Sequence, residues 1–175
     1  MDRALVRVDE VFATGRRGPL FLFLLALLLK VVYVVHTAHD LSVRVPLMDS
    51  RYYDQMAQDI AAGQVVRDRA FFMGPLYPYF LGLIYSLVGR DFMLVRLLQA
   101  VGGSLTVVLT FLIGRRVFRP SAALAGALLL AFHGAMTFYE SELLMEWLGT
   151  LLNCAALWLL LRKHEPSTRS VAAAG

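Results

Sequence analysis

Four stretches of this chain stay apolar for about the 20 residues that crossing a hydrocarbon core requires. They are Pro19 to Thr37, about Phe92 to Ile113, about Ser121 to Tyr139 and about Leu143 to Leu161. In lipid, a segment must satisfy its backbone polar groups internally, so each stretch is constrained to be a helix. Composition enters only as support: 58% of the 175 residues are hydrophobic and 17% charged, a balance that excludes an ordinary soluble domain. The expected fold class is an all-α membrane protein with about four transmembrane helices. The single cysteine, Cys154, lies inside the fourth run. It reads as a small buried hydrophobe, and a disulfide within the chain is excluded. Arg3, Arg7, Arg16 and Arg17 precede the first run, and the polar, bulky stretch His36 to Asp40 follows it. No small-residue cleavage site is present there, so the run reads as a retained helix rather than a signal peptide.

A fifth apolar run, Pro75 to Val88, is short and rich in aromatics, and its placement decides the topology. If it does not span, the basic N-terminus, the cluster Arg115, Arg116 and Arg119, and the cluster Arg162, Lys163 and Arg169 all fall on the cytoplasmic side. That is the arrangement the positive-inside rule favours. The run is then an interfacial helix with Tyr77, Tyr79 and Tyr85 at headgroup level. Residues from about Ala38 to Asp91 become one large extracytoplasmic loop, too long to be without structure or function. Within it, about Asp49 to Ala62 reads as a helix that Asp49 or Ser50 can cap and Gly63 can end. Tyr52, Met56, Ala57 and Ile60 give that helix one apolar face. The membrane domain is expected over residues 1–163, with a polar, Ala-rich and disordered tail over 164–175. The net charge of +4 is organised as topology signals, so no nucleic-acid partner is expected.

Chemistry is expected where carboxylates meet the membrane surface. The stretch Pro46-Leu-Met-Asp49-Ser-Arg51-Tyr52-Tyr53-Asp54 lies just past the first helix. A carboxylate there suits a lipid-phosphate substrate: the acyl chain stays in the bilayer, arginine neutralises the phosphate, and the carboxylate acts as base. The bland alternative makes Asp49 a helix cap. Arg67 and Arg69 follow, then Gly74-Pro75 as a turn into the interfacial helix. Glu140 and Glu142 emerge on the same side as Asp49. Glu146 lies about one turn into the fourth run, either as an intramembrane functional carboxylate or in interfacial water. Lys30 is expected to snorkel, His133 to be a hydrogen-bonded bundle residue, and Gly102-Gly103 to allow close helix packing. No phosphate-binding glycine loop, HExxH or nucleophile elbow is present, so nucleotide-driven chemistry is not expected.

The order of these features resembles bacterial family 39-like membrane glycosyltransferases of the GT-C fold, relatives of the dolichyl-phosphate-mannose protein mannosyltransferases and of the lipid A aminoarabinose transferases. Four stretches carry the resemblance: Asp49 with Arg51-Tyr52 and the following Ala61-Ala-Gly63; Gly74-Pro-Leu-Tyr-Pro-Tyr-Phe-Leu-Gly-Leu-Ile-Tyr-Ser-Leu-Val-Gly-Arg90 with Val95-Arg96-Leu-Leu-Gln99; Gly114-Arg-Arg-Val-Phe118; and Ser141-Glu-Leu-Leu144. It implies transfer of a sugar from a polyprenyl-phosphate donor to a lipid, glycan or protein acceptor outside the membrane. Asp49 matches the family's loop aspartate, the general base or acceptor-orienting group. Arg51 and Tyr52 belong to its motif, and Glu140 or Glu142 matches a second acidic position. Arg67, Arg69 and Arg96 are the phosphate-clamp candidates, and Tyr77 a further substrate contact. The resemblance implies no particular cofactor, and a divalent metal is compatible with the chemistry. Some relatives carry an acidic and a basic residue where Met73 and Gly74 stand here, which weakens a metal ligand or clamp at that spot. The implied setting is a bacterial inner membrane, multi-pass, with the N-terminus cytoplasmic and membrane lipids around it. Family members are longer, so the chain is expected to be the N-terminal part of a larger enzyme. The competing expectation is a non-catalytic subunit or remnant that binds lipid or a partner; a transporter ranks last, because polar residues lining a path are few.

Overall fold

The computed structural model describes residues 17–40, 45–65 and 72–163, and all regular structure among them is helical. Among the described residues seven helices follow one another: α1 (Arg17–Thr37), α2 (Met48–Ala61), α3 (Leu76–Val88), α4 (Phe92–Val117), α5 (Pro120–Ala131), α6 (Gly134–Ser141) and α7 (Glu146–Lys163). The chain is thus an all-α membrane protein. By length and apolarity α1 and α4 can cross a membrane unaided, and α5 with α6 can do so as one span bent by 53°. The expected third span is therefore broken. Phe132 and His133 leave helical geometry, and the His133 Nδ1 accepts from the Met136 amide at 3.2 Å to cap α6. His133 is hydrogen-bonded as expected, but at an exposed break and not inside the bundle. The expected fourth span starts later than Leu143. Its 18-residue helix is long enough for a span, but Glu146 in the first turn and Arg162 and Lys163 at the end make it more polar than α1 and α4.

Helix α4 is the hub, packed against α1, α5, α6 and α7. Its buried face is built from small and hydroxyl residues, among them Ala100, Gly102, Gly103, Ser104 and Thr106, which let neighbours approach closely. The hydroxyls of Ser104, Thr106 and Thr110 bond carbonyls one turn back at 2.7, 3.2 and 2.9 Å, so they cost little in apolar surroundings. A Cβ at Gly102 would overlap the Trp147 ring, and one at Gly103 would overlap the Glu140 carboxylate. Leu22, Ala26, Val107, Phe111, Ala123 and Ala127 form the core between α1, α4 and α5.

One end of the bundle is basic: the Arg116 Nη1 donates to the Leu161 carbonyl at 3.0 Å, while Arg115 and Arg162 lie over Phe111 and Trp158. At 1.5 Å per residue the 26-residue α4 puts this end about 39 Å from Phe92.

At the Phe92 end lies a second layer, α2 packed on α3. Tyr53, Ala57, Tyr77, Leu81 and Tyr85 form its core with Val95, Leu143 and Trp147. Helix α2 begins one residue before the expected position and ends at Ala61, with Gly63 at φ 95° closing it, as its sequence predicts. Helix α3, at 13 residues, is too short to span. Its tyrosines are engaged by the protein itself. Tyr77 and Tyr85 are buried, and Tyr79 donates to the Val65 carbonyl at 2.6 Å. Tyr85 turns inward because Asp54 awaits it: that carboxylate accepts from the Tyr85 hydroxyl at 2.9 Å, from the Arg90 Nε and Nη2 at 2.9 and 2.8 Å, and from the Gln58 amide at 3.0 Å. Burial and the Asp54 charge push the Tyr85 hydroxyl pKa far up, so it stays a donor. Asp54 thereby ties α2 to α3 and to the α3–α4 connection.

Candidate functional site

The site begins where α2 begins. Leu47 stands at the N-cap, and no side chain caps the helix there. The expectation that Asp49 or Ser50 caps α2 is thus corrected: Asp49 sits in the first turn, exposed. Met48 just before it adopts φ 48°, a left-handed conformation that a bulky side chain rarely takes. Strain of this kind costs of order 1–3 kcal/mol and persists only where the surroundings impose it.

The other half of the site is the turn from Glu140 to Glu142, held from α4. Arg96 and Gln99 are three residues apart on one helix face. The Arg96 Nε donates to the Ser141 carbonyl at 2.8 Å, and the Gln99 amide donates to the carbonyls of Glu140 and Glu142 at 2.6 and 2.7 Å. The Gln99 Oε1 accepts from the Tyr77 hydroxyl at 2.7 Å. Three consecutive carbonyls are thus fixed.

These two halves enclose an open cavity of about 280 Å³ lined by Leu47, Met48, Asp49, Ser50, Phe138, Tyr139, Glu142 and Leu144. It places two carboxylates, 93 residues apart in sequence, on one apolar-walled space. Burial raises the Glu142 carboxyl pKa, and the Arg96 charge lowers it in part.

The remaining expected site residues are placed as follows. Glu140 does not line this cavity. It is 6% exposed and ion-paired with Lys30, itself 2% exposed. Lys30 therefore does not snorkel; a buried carboxylate across the bundle holds it. The pair and Arg96 border a void of about 10 Å³, the size of one water. Arg96 is buried and engaged with the turn. Tyr77 is buried behind Gln99. Arg51 is exposed two residues after Asp49 on α2, and the Tyr52 hydroxyl accepts from the Phe72 amide at 3.2 Å. Arg67 and Arg69 lie outside the described residues. Glu146 opens α7 and is exposed. At Gly74 a Cβ would come within 2.9 Å of the Met145 sulfur, so that spot is closed by a thioether. A divalent metal would find Asp49 and Glu142 here; among the described residues no group of three His, Cys, Asp or Glu side chains could hold one. The sequence reading missed Gln99 as the clamp of the turn and Asp54 with Arg90 as the lock on α2. Only the spacing of Arg96 and Gln99 hinted at the former.

Residues 72–174 match the model of the dolichyl-phosphate-mannose-protein mannosyltransferase family. That is well over half of the chain, and it contains α3 to α7 with the Glu140–Glu142 turn and its clamps. The chain belongs to this family. Membership carries glycosyl transfer, a lipid-linked sugar donor and a membrane setting. Asp49 precedes the matched residues, and it shares the cavity with Glu142, which lies within them. No curated protein and no solved structure matches the chain.

Proposed function

We propose that this chain moves a sugar from a polyprenyl-phosphate donor to an acceptor at the Asp49 face of the membrane, with Asp49 as the base. The observation that carries this reading is the shared cavity: Asp49 and Glu142 face one apolar-walled space at the bundle end opposite the basic residues. With the Arg115, Arg116 and Arg162 end cytoplasmic, as the positive-inside rule favours, that face is extracytoplasmic. In the reaction the acceptor oxygen bonds to the sugar's anomeric carbon, and the bond from that carbon to the phosphate oxygen breaks. The acceptor proton passes to Asp49, and polyprenyl phosphate leaves with its electron pair. Phosphate is a good leaving group, so one carboxylate base and cationic groups around the phosphate suffice. Glu142, whose carboxyl pKa burial raises, is the second acidic group on the cavity and orients the acceptor beside Asp49. Arg51, and the loop arginines Arg67 and Arg69, supply positive charge to the phosphate. Arg96 and Tyr77 serve behind the turn.

The test is sugar transfer from a polyprenyl-phosphate donor in membranes holding native chain or Asp49→Asn at matched levels. Transfer by the native chain and its loss by about 10²-fold or more in Asp49→Asn is the expected result. Equal transfer by both rejects Asp49 as the base.

A further inference from the structure

We infer that Gln99 is a positioning residue: one buried amide in α4 sets the turn that brings Glu142 to Asp49 across the cavity. The purpose assigned to it rests on the transfer reading above; the geometry does not. Gln99 is 0% exposed. All of its polar capacity is directed: two N–H bonds go to the carbonyls of Glu140 and Glu142, and its oxygen accepts from Tyr77. Carbonyls can only accept and the Tyr77 hydroxyl donates to the amide oxygen, so the amide has one allowed orientation. Gln99 therefore couples three parts of the fold, α3 through Tyr77, α4 through its own backbone, and the turn between α6 and α7. It does so without touching the cavity, whose lining does not include it.

Glu142 needs such a clamp because the chain leaves helix there. Helix α6 ends at Ser141 and α7 starts at Glu146. The backbone of Glu142 is extended, and its side-chain direction depends on what pins the carbonyls around it. Arg96 donates to the middle one. With Gln99 removed, the Glu140 and Glu142 carbonyls lose their tie to α4, and the bond that Glu142 keeps, from the Leu144 amide at 2.9 Å, is local to the connection and does not hold it against the bundle. Glu142 then moves out of its half-buried setting.

The test reads Glu142 directly. Dicyclohexylcarbodiimide modifies carboxyl groups in their protonated form, so the pH midpoint of labelling at Glu142, followed by peptide mass spectrometry on the full chain in membranes, reports its surroundings. The charged or titratable groups facing it are Arg96 on α4, Asp49 across the cavity on α2, Tyr139 on α6 and the Lys30–Glu140 pair beyond the turn. In the native chain the midpoint should lie above the ordinary glutamate range. Gln99→Met keeps the shape and removes both donors; its midpoint should fall by about half a pH unit or more, because burial is the larger influence on Glu142. Tyr77→Phe frees only the amide oxygen and should move the midpoint in the same direction by less. Arg90→Gln loosens the Asp54 lock elsewhere in the same layer and should leave the midpoint in place while lowering stability. An unmoved midpoint in Gln99→Met overturns the proposal, and so does an equal movement in Arg90→Gln. If Gln99→Met fails to fold, Tyr77→Phe decides by the same criterion. Sugar transfer measured on the same membranes separates the two claims. An inactive native chain with a shifted Gln99→Met midpoint rejects the transfer reading alone. An active chain with an unshifted midpoint rejects the positioning alone.

Discussion

The two acidic stretches of this chain, 49–54 and 140–142, are built on the same plan and differ in what locks them. In the first, Asp54 is buried and held by Arg90, Tyr85 and Gln58, while Asp49 five residues earlier stands exposed at the start of α2. In the second, Glu140 is buried against Lys30, while Glu142 two residues later turns to the cavity. Each stretch supplies one carboxylate to the fold and one to the site. The locks themselves differ. The Asp54–Arg90 bond is at the margin, with 46% of the Arg90 side chain exposed, whereas the Lys30–Glu140 pair is dry at both ends. A charge pair at a wet margin can be loosened cheaply, and one inside a bundle cannot.

The largest effect should come from splitting the dry pair. Lys30→Met leaves Glu140 buried without its cation and should cost about 3–5 kcal/mol, measured by unfolding of the purified chain in detergent. Lys30→Met combined with Glu140→Met should recover most of that loss. A single variant as stable as the native chain would show that the two regions are not locked differently. Gly103→Ala comes next. Its methyl group would overlap the Glu140 carboxylate, and the expected loss is about 1–3 kcal/mol in the same measurement. Asp54→Asn should cost less, about 1–2 kcal/mol after allowing for the solvent at Arg90. A larger loss than that of Lys30→Met would reverse the ranking of the two locks. The smallest effect is one of pH. The folded chain holds the Glu142 proton more tightly than the unfolded chain does. Stability therefore falls as pH rises from the ordinary glutamate range through the raised value, and Glu142→Gln should flatten that slope. An unchanged slope would place the titration elsewhere.

Sequence pattern revealed the helices because apolar length is a local property. α1 and α4 lie where the runs lie, α3 is too short to span, and Gly63 ends α2. Asp49 stood out because it follows the first span within a family-like motif. What the pattern did not carry depends on partners far apart in the chain. Lys30 reads as a snorkelling residue until Glu140, 110 residues away, arrives beside it. Tyr77 and Tyr85 read as headgroup anchors until Gln99 and Asp54 offer them acceptors. The break at His133 comes from a ring nitrogen capping the helix that follows, a choice that the uniform apolarity of 121–139 hides. Glu140 and Glu142 could not be ranked from sequence, because two residues along an end of helix separate a bundle interior from a cavity wall.

The division into locked and open carboxylates is tested most directly by neutralising all four in one series, with folding and sugar transfer from a polyprenyl-phosphate donor measured on the same membranes. Asp49→Asn and Glu142→Gln should leave the chain folded and lower transfer, the former by about 10²-fold or more. Asp54→Asn and Glu140→Gln should lower stability first. Full transfer in a folded Asp49→Asn variant would contradict the account.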